Sequence, residues 1–256
     1  MHILLIGLGN MGSKYLQKIK QMGESPVLCD IDSSKRDGEH PFYCHYGEVN
    51  EPLKAVIIAI DPSKHVDVAL AFLEKGLPVL LEKPPALSSK DFERISSFDN
   101  LYVSEVESFS VCAEHIPKNA KSIKIERFGR GKGYVSPLWD LAWHDLYLLL
   151  RTYSKVEVKE LSVKNGVWTL RGYADQAEFE LSVQWESPHP RRIWNVDEGK
   201  VILDFGEEAV YSEGRLMVQR KRDKLRWMLE SFLLGDYDRG SVERAGRIIN
   251  IIENIS

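Results

Sequence analysis

The sequence predicts two domains: a Rossmann α/β domain with a parallel sheet over residues 1–111, then a smaller α+β domain over residues 112–256 with a largely antiparallel, open sheet. Three observations carry this. In the first stretch, short apolar runs rich in β-branched residues alternate with helical patterns, which is the grammar of βαβ units. Past about Val111 strand patterns follow one another with few helices between them. One of them, "AEFELSVQWE" (Ala177 to Glu186), alternates strictly, as an antiparallel strand with one packed and one wet face does.

The first strand is His2 to Ile6, closed by Gly7, and a helical pattern follows from about Met11 to Met22. Pro26 to Asp32 reads as the second strand. Ala55 to Ile60 ("AVIIAI") is a continuous apolar run, typical of a strand covered on both faces. Val66, Ala69, Leu70 and Leu73 have helical spacing within His65 to Lys75, and Gly76 stops that helix. Leu77 to Leu81 is the next strand, Ser88 to Phe98 the next helix and Leu101 to Val106 a further strand.

In the second domain a helix over Pro137 to Tyr153 starts from Ser136 as N-cap, with Pro137 at its first position. Strands are expected at Val156 to Val163, Val167 to Ala174, Ala177 to Glu186, Val201 to Phe205 and Arg215 to Gln219. Helices over Lys224 to Leu234 and Val242 to Ile255 close the chain. On the alternating strand Ala177, Phe179, Leu181, Val183 and Trp185 face the core. Glu178, Glu180 and Glu186 point the other way, and would repel across a symmetric contact unless bases such as Arg215 or Arg220 pair with them.

Composition excludes several classes of function. With 34 basic and 38 acidic residues the net charge is −4, which argues against nucleic acid or an anionic membrane as partner. Cys29, Cys44 and Cys112 are odd in number and far apart, so neither a disulfide framework nor a metal site is expected, and a reducing, cytoplasmic setting fits. The apolar run in "MHILLIGLGNMG" is too short to span a bilayer and lacks a basic leader, so it reads as a strand. No G-x-S-x-G, H-E-x-x-H or G-x-x-x-x-G-K-[ST] motif is present.

Four stretches carry chemistry. "IGLGNMG" places Gly7, Gly9 and Gly12 in G-x-G-x-x-G order between a strand and a helix, where backbone can approach a pyrophosphate at the helix N-terminus. Asp30 ends the second strand, where an acid can hold a ribose 2′-hydroxyl and so favours NAD over NADP; Lys35 and Arg36 follow closely and weaken that preference. "DLAWHDLYLLL" sets Asp140 and His144 four apart, on one helix face with Tyr147 and Arg151, as a solvated stripe or as a carboxylate that tunes a general base. "RFGRGKGYV" sets Arg127, Arg130 and Lys132 among three glycines, either a solvated loop or a cradle for a carboxylate or phosphate. In "LLEKPPALSS" Glu82 and Lys83 end an apolar run, so Lys83 is either a solvated strand terminus or a positioned cation.

"GLGNMG", "CDID", "AIDPSKHVDVALAFLEKGLPVLLEKPPALS", "LWDLAWHDLYLLL" and "KLRWMLESFLLGDYDRGSVERAGRIINIIENI", in that order, resemble the glucose–fructose oxidoreductase, inositol dehydrogenase and rhizopine catabolism family of NAD(P)-dependent oxidoreductases. The resemblance implies hydride transfer between NAD and a secondary alcohol of a sugar, cyclitol or related polyol. It implies that Lys83 lies near the nicotinamide at the junction of the domains and stabilises the developing alkoxide. His144 would take the hydroxyl proton and Asp140 would orient substrate or His144. It further implies cofactor contacts from Gly7, Gly9, Asn10, Met11, Gly12, Asp30, Ile31, Ile60, Pro62, His65, Glu82 and Lys83, and substrate contacts from Lys83, Trp139, Asp140 and His144. Association through the open sheet is a family habit, so a homo-oligomer is expected. Two departures stand out: the second domain is short, and Ser108 stands where the family often has an arginine. The rival reading is a non-catalytic regulator of the same fold that binds dinucleotide or sugar.

Overall fold

The computed structural model describes residues 1–255. By compactness the chain divides into two units: Met1–Ser104 with Leu225–Gly246, and Glu105–Lys224 with Arg247–Ser256.

The first unit is built on a six-stranded parallel sheet in the order β3-β2-β1-β4-β5-β6. Its strands are β1 (His2–Ile6), β2 (Pro26–Cys29), β3 (Phe42–Tyr43), β4 (Leu53–Ile58), β5 (Val79–Leu81) and β6 (Leu101–Val103). Helices α1 (Asn10–Gln21), α2 (His65–Leu73) and α3 (Ser89–Ser96) make the crossovers. Leu4, Leu5, Val27, Leu28, Val56, Ile57, Leu80 and Leu81 are buried, as strands of an inner parallel sheet must be. The sheet reverses direction of growth between β1 and β4, and ligands of such sheets bind beyond the strand carboxyl ends at that point.

Helix α5 (Lys224–Leu234) and the start of α6 (Gly240–Ile255) belong with this unit rather than with the residues that precede them in sequence. The reasons are specific. Tyr237 donates to the Val103 carbonyl at 2.8 Å, the Ser241 hydroxyl accepts from the Val103 N–H at 3.2 Å, and Tyr102 meets Phe232 edge-on. The sequence, read linearly, places a single boundary at residue 111; the compact units meet at Ser104 and Glu105 and are discontinuous.

The second unit carries an eight-stranded sheet ordered β14-β13-β12-β11-β7-β10-β9-β8. These strands are β7 (Ser122–Phe128), β8 (Val156–Lys164), β9 (Val167–Ala174), β10 (Ala177–Gln184), β11 (Arg191–Val196), β12 (Val201–Asp204), β13 (Ala209–Ser212) and β14 (Arg215–Gln219). All pairings are antiparallel except β7 with β10. Ala177, Phe179, Leu181 and Val183 are buried, as the alternation requires. On the outer face Arg171 of β9 bonds Glu180 at 2.9 Å and reaches Glu160 at 3.4 Å. The base that offsets Glu180 therefore comes from the neighbouring strand, not from Arg215 or Arg220.

Helix α4 (Trp143–Thr152) is preceded by a π-helical turn over Leu138–Ala142, where an uninterrupted α-helix was expected. Behind it lies a buried charge cluster that the sequence did not announce. Arg127 on β7 grips Asp145 through Nε (2.6 Å) and Nη2 (3.0 Å), and the Trp194 indole donates to the same carboxylate at 2.8 Å. Glu107 lies 3.4 Å from Arg127 and bonds Lys224 (2.6 Å) and Arg192 (3.1 Å); Lys224 also holds Glu208 at 2.7 Å. Burial alone would raise the Glu107 carboxyl, but Arg127, Lys224 and Arg192 outweigh it and hold it below the usual range. Both readings of Arg127, solvated loop residue or cradle for an anion, are corrected here: it is a buried strand residue bonded to Asp145.

A buried pair broken from one side costs far more than the intact pair contributes. Arg127→Met leaves the buried Asp145 carboxylate without its counter-charge, while Glu107 keeps Lys224 and Arg192, and should lower stability by about 3–5 kcal/mol, read by urea unfolding. Adding Asp145→Asn to Arg127→Met should recover part of that loss.

Candidate active site

In the first unit every residue expected at the cofactor follows the carboxyl end of β1, β2, β4 or β5. Gly7 has φ +91°, and a Cβ there would lie 2.4 Å from the Ala59 carbonyl oxygen; the Ile60 side chain packs on the same spot. A Cβ on Gly12 would lie 1.8 Å from the Gly7 oxygen, so that glycine lets α1 approach the turn. Gly9 is different, since a Cβ there meets nothing within 4 Å. The protein itself makes no steric demand for glycine at Gly9, whereas a pyrophosphate laid against the turn would. No side chain caps the start of α1, and Asn10 and Met11 form its first turn beside open amides. These features fit a dinucleotide.

Asp30 is buried, and its carboxylate ties the second strand to the glycine turn. Oδ2 accepts from the Leu8 N–H at 2.6 Å and from Lys35 at 2.9 Å, while Oδ1 accepts from the Asp32 N–H at 3.0 Å. Burial pushes its pKa up, but the Asp32 and Leu8 amides and Lys35 reverse that and hold it below the ordinary value. Ile31, next to it, is 93% exposed, an apolar surface where an adenine face could rest. Pro62 starts the short turn after β4, whose N-cap Asp61 accepts from the Ser63 N–H at 2.9 Å.

Two residues that were expected to touch cofactor turn out to hold the lysine turn. Glu82 is buried; one oxygen accepts from the Tyr15 hydroxyl of α1 and the other from the Lys83 N–H at 3.1 Å. His65 is wholly buried with Nδ1 2.8 Å from the Pro84 carbonyl and Nε2 3.2 Å from the Ile60 carbonyl. The Lys83–Pro84 peptide is cis. Lys83 is thus flanked by a buried carboxylate on one side and a turn anchored by a buried imidazole on the other.

In the second unit Asp140 lies in the π turn and accepts from the Trp185 indole at 2.9 Å. Gly133 approaches it so closely that a Cβ would come within 2.5 Å of its carboxylate. His144, in the first turn of α4, has Nδ1 3.4 Å from the Tyr147 hydroxyl. Tyr147 was expected on a polar face but is wholly buried, and its oxygen accepts from the Glu107 N–H at 2.7 Å. Burial, then the nearby Glu107 charge, raises that phenol well above its ordinary pKa, so Tyr147 stays neutral. Trp139 is half-buried and stacks on the buried Trp143 at 6.1 Å between rings. Arg130 and Lys132 are exposed on the loop before the π turn, beside Tyr134 at 98% exposure. Sequence reasoning set Tyr147 on the His144 face but missed Glu107, whose amide pins the Tyr147 hydroxyl.

Among the described residues one grouping, Asp37, Glu39 and His40, has ligand-like spacing, but Lys20 already bonds both carboxylates. Also among them, no helix is long and apolar enough to cross a membrane.

Comparison with known proteins agrees with this geometry. Residues 1–98 match the Gfo/Idh/MocA family model, described as an oxidoreductase family with an NAD-binding Rossmann fold. No curated protein sequence matches the chain. Among solved structures, UDP-N-acetylglucosamine 3-dehydrogenase GnnA from Acidithiobacillus ferrooxidans is 17% identical, with TM-score 0.86 over 100% of this chain and 96% of that one. The WlbA (WbpB) dehydrogenase from Thermus thermophilus, solved with NAD and UDP-GlcNAcA, is 16% identical, with TM-score 0.76 over 100% and 96%. A dehydrogenase from Chromobacterium violaceum is 16% identical, with TM-score 0.77 over 100% and 94%. At such identities the likeness is one of fold.

His65 gives a pH signature. Burial, against the weaker opposing pull of the Pro84 and Ile60 carbonyls, lowers its pKa from 6.5 to about 4. Below about pH 6.5 the unfolded chain takes up a proton that the folded chain refuses, so stability falls as pH drops from 6.5 to 4 and then levels. The expected loss is on the order of 3 kcal/mol. His65→Gln should flatten that part of the stability–pH curve, measured by denaturant unfolding at several pH values.

Proposed function

We propose that this chain, whose residues 1–98 match an NAD-binding oxidoreductase family model, oxidises a secondary alcohol of a sugar, cyclitol or related polyol reversibly. The observation that carries the reading is Lys83: a lysine just past β5, its amide fixed by buried Glu82 and its turn by buried His65. A solvated strand end needs no such support.

NAD, when bound, supplies the hydride acceptor. Lys83 hydrogen-bonds the substrate oxygen and offsets the negative charge that develops on it as the carbon–hydrogen bond breaks. His144 takes the hydroxyl proton on Nε2, with Nδ1 turned to the Tyr147 hydroxyl. Tyr147 stays a neutral phenol, so the proton stays on the imidazole. Asp140, held by Trp185, orients the substrate. The alcohol thereby loses a hydride and a proton and becomes a ketone. Exposed Arg130 and Lys132 favour an anionic substrate. Two neighbours of similar fold are named for, or solved with, UDP-linked sugars, which puts nucleotide sugars beside sugar acids and polyols in a first panel. The homo-oligomer expected from the open sheet belongs to the same proposal.

Screening that panel for NADH formation should yield at least one substrate. With it, His144→Ala and Lys83→Ala should each lower turnover by about a hundredfold or more, with NAD affinity near wild type. Unchanged turnover in both variants would sink the mechanism. A panel without any turnover, while NAD still binds, would favour the non-catalytic regulator.

A further inference from the structure

Tyr15 occupies a core position that asks only for an apolar ring, yet it carries a hydroxyl into the interior. On α1 the buried residues are Gly12, Tyr15 and Ile19, one row of the helix, and Tyr15 is wholly buried. A buried hydroxyl needs a partner, and a phenylalanine in this row would need none. We propose that Tyr15 is a positioning residue for Lys83: through Glu82 it passes the seating of a dinucleotide on α1 to the peptide that carries the lysine. This rests on the dinucleotide reading of the first unit and on the part proposed for Lys83.

Two hydrogen bonds make the path. The Tyr15 hydroxyl donates to Glu82 Oε1, and Glu82 Oε2 accepts from the Lys83 N–H at 3.1 Å. One buried carboxylate thus stands between the cofactor helix and the lysine peptide. The Tyr15 oxygen also lies 3.4 Å from the Ser104 hydroxyl, which rests 3.6 Å from the Met228 sulfur of α5. Glu82 follows β5 and Ser104 follows β6, so one side chain of α1 reaches residues just past the carboxyl ends of two distant strands.

The direction of the first bond is fixed by chemistry. Burial, then the Glu82 charge, raises Tyr15 well above the ordinary phenol range, so it keeps its proton and acts as donor. A buried carboxylate is costly unless it is hydrogen-bonded, so Glu82 follows its donors. Tyr15 holds one oxygen and the Lys83 amide the other, and turning the group to keep one bond stretches its fellow. The first turn of α1 carries the amides on which a pyrophosphate would lie, and Tyr15 stands on the next turn of the same helix. A shift of α1 on binding is therefore felt at Glu82, and through the same carboxylate at Lys83. His65, the other support of the lysine turn, bonds Pro84 and Ile60 and leads back to the end of β4 instead.

The test is hydrogen exchange at single amides, read by NMR with and without saturating NADH, on wild type, Tyr15→Phe, Glu82→Ala and the double variant. Without NADH, Tyr15→Phe should speed exchange of the Lys83 amide by about tenfold or more, while Leu4 and Leu5 in β1 stay within about twofold. NADH should slow the Lys83 amide by about tenfold in wild type and by less than about threefold in Tyr15→Phe. NADH affinity of that variant should stay within about threefold of wild type. Ser104→Ala, which removes only the longer contact, should leave the Lys83 amide within about twofold. Tyr15→Phe/Glu82→Ala removes both partners and orphans no carboxylate, so it serves even where Tyr15→Phe alone fails to fold. Its Lys83 exchange should match that of Glu82→Ala within about twofold. A Lys83 amide unchanged in Tyr15→Phe, or equal NADH protection there and in wild type, would overturn the proposal. So would exchange raised evenly through the first unit, or a double variant about tenfold faster than Glu82→Ala. Wild type that binds no NADH would fault the dinucleotide reading itself, whereas unchanged turnover in Lys83→Ala would fault only the part given to the lysine.

Discussion

The second unit depends on one buried ion pair. Asp145 follows His144 directly, and its carboxylate is gripped by both forks of the Arg127 guanidinium on β7. Helix α4 therefore cannot rotate or slide along the sheet without separating two charges in a dry interior. The Trp194 indole on β11 adds a third donor to the same carboxylate, so two adjacent strands share the grip. Glu107, Arg192, Lys224 and Glu208 extend the cluster with equal numbers of acids and bases, which is the condition for ionised groups to stay buried. Such a cluster adds little net stability compared with an apolar core of equal volume. Its value is directional: it admits one register of helix against sheet, and His144 inherits it through the peptide bond.

The first unit reaches positional control by another route. There the constraints are steric and carried by backbone. Gly7 and Gly12 admit a carbonyl where no Cβ fits, and Asp30 closes the turn through the Leu8 amide. Glu82 and His65 do for Lys83 what Arg127 does for the His144 helix, but each uses a hydrogen bond to backbone rather than an ion pair. Neutral Tyr147 and neutral His65 belong to the same economy. Burial keeps both uncharged, so neither competes with the groups proposed to carry charge in the reaction.

The nucleotide-binding unit was legible because its signals are local. A glycine spacing, a β-branched run and an acid at a strand end each speak for a few residues, and α/β grammar strings them together. Of the three strands missed in the second unit, β7 and β11 share a reason. On β7 the inward positions are Ile123, Ile125 and Arg127, and an arginine in the core row breaks the apolar alternation that marks a strand. On β11 two arginines open the segment before Trp194 and Val196 turn inward. The partners that make those arginines acceptable, Asp145 and Glu107, are distant in sequence, so no window could show that the charges cancel. The same applies to α5, whose place with the first unit is fixed by contacts to Tyr102 and Ser104 across more than a hundred residues.

Asp140 and His144 show how the spacing of a motif can mislead about its wiring. Four-residue spacing suggested a carboxylate clasping an imidazole along a regular helix. The π turn breaks that regularity between Leu138 and Ala142, and π turns recur at functional sites because they re-aim side chains. Asp140 is bonded by Trp185 at the end of β10, while His144 is backed by Tyr147, whose hydroxyl is itself pinned by the Glu107 amide. Glu107 in turn belongs to the Arg127 cluster. The base proposed for proton transfer is thus braced through a neutral phenol by the buried ions behind it, while Asp140 answers to the second unit's β10 through Trp185.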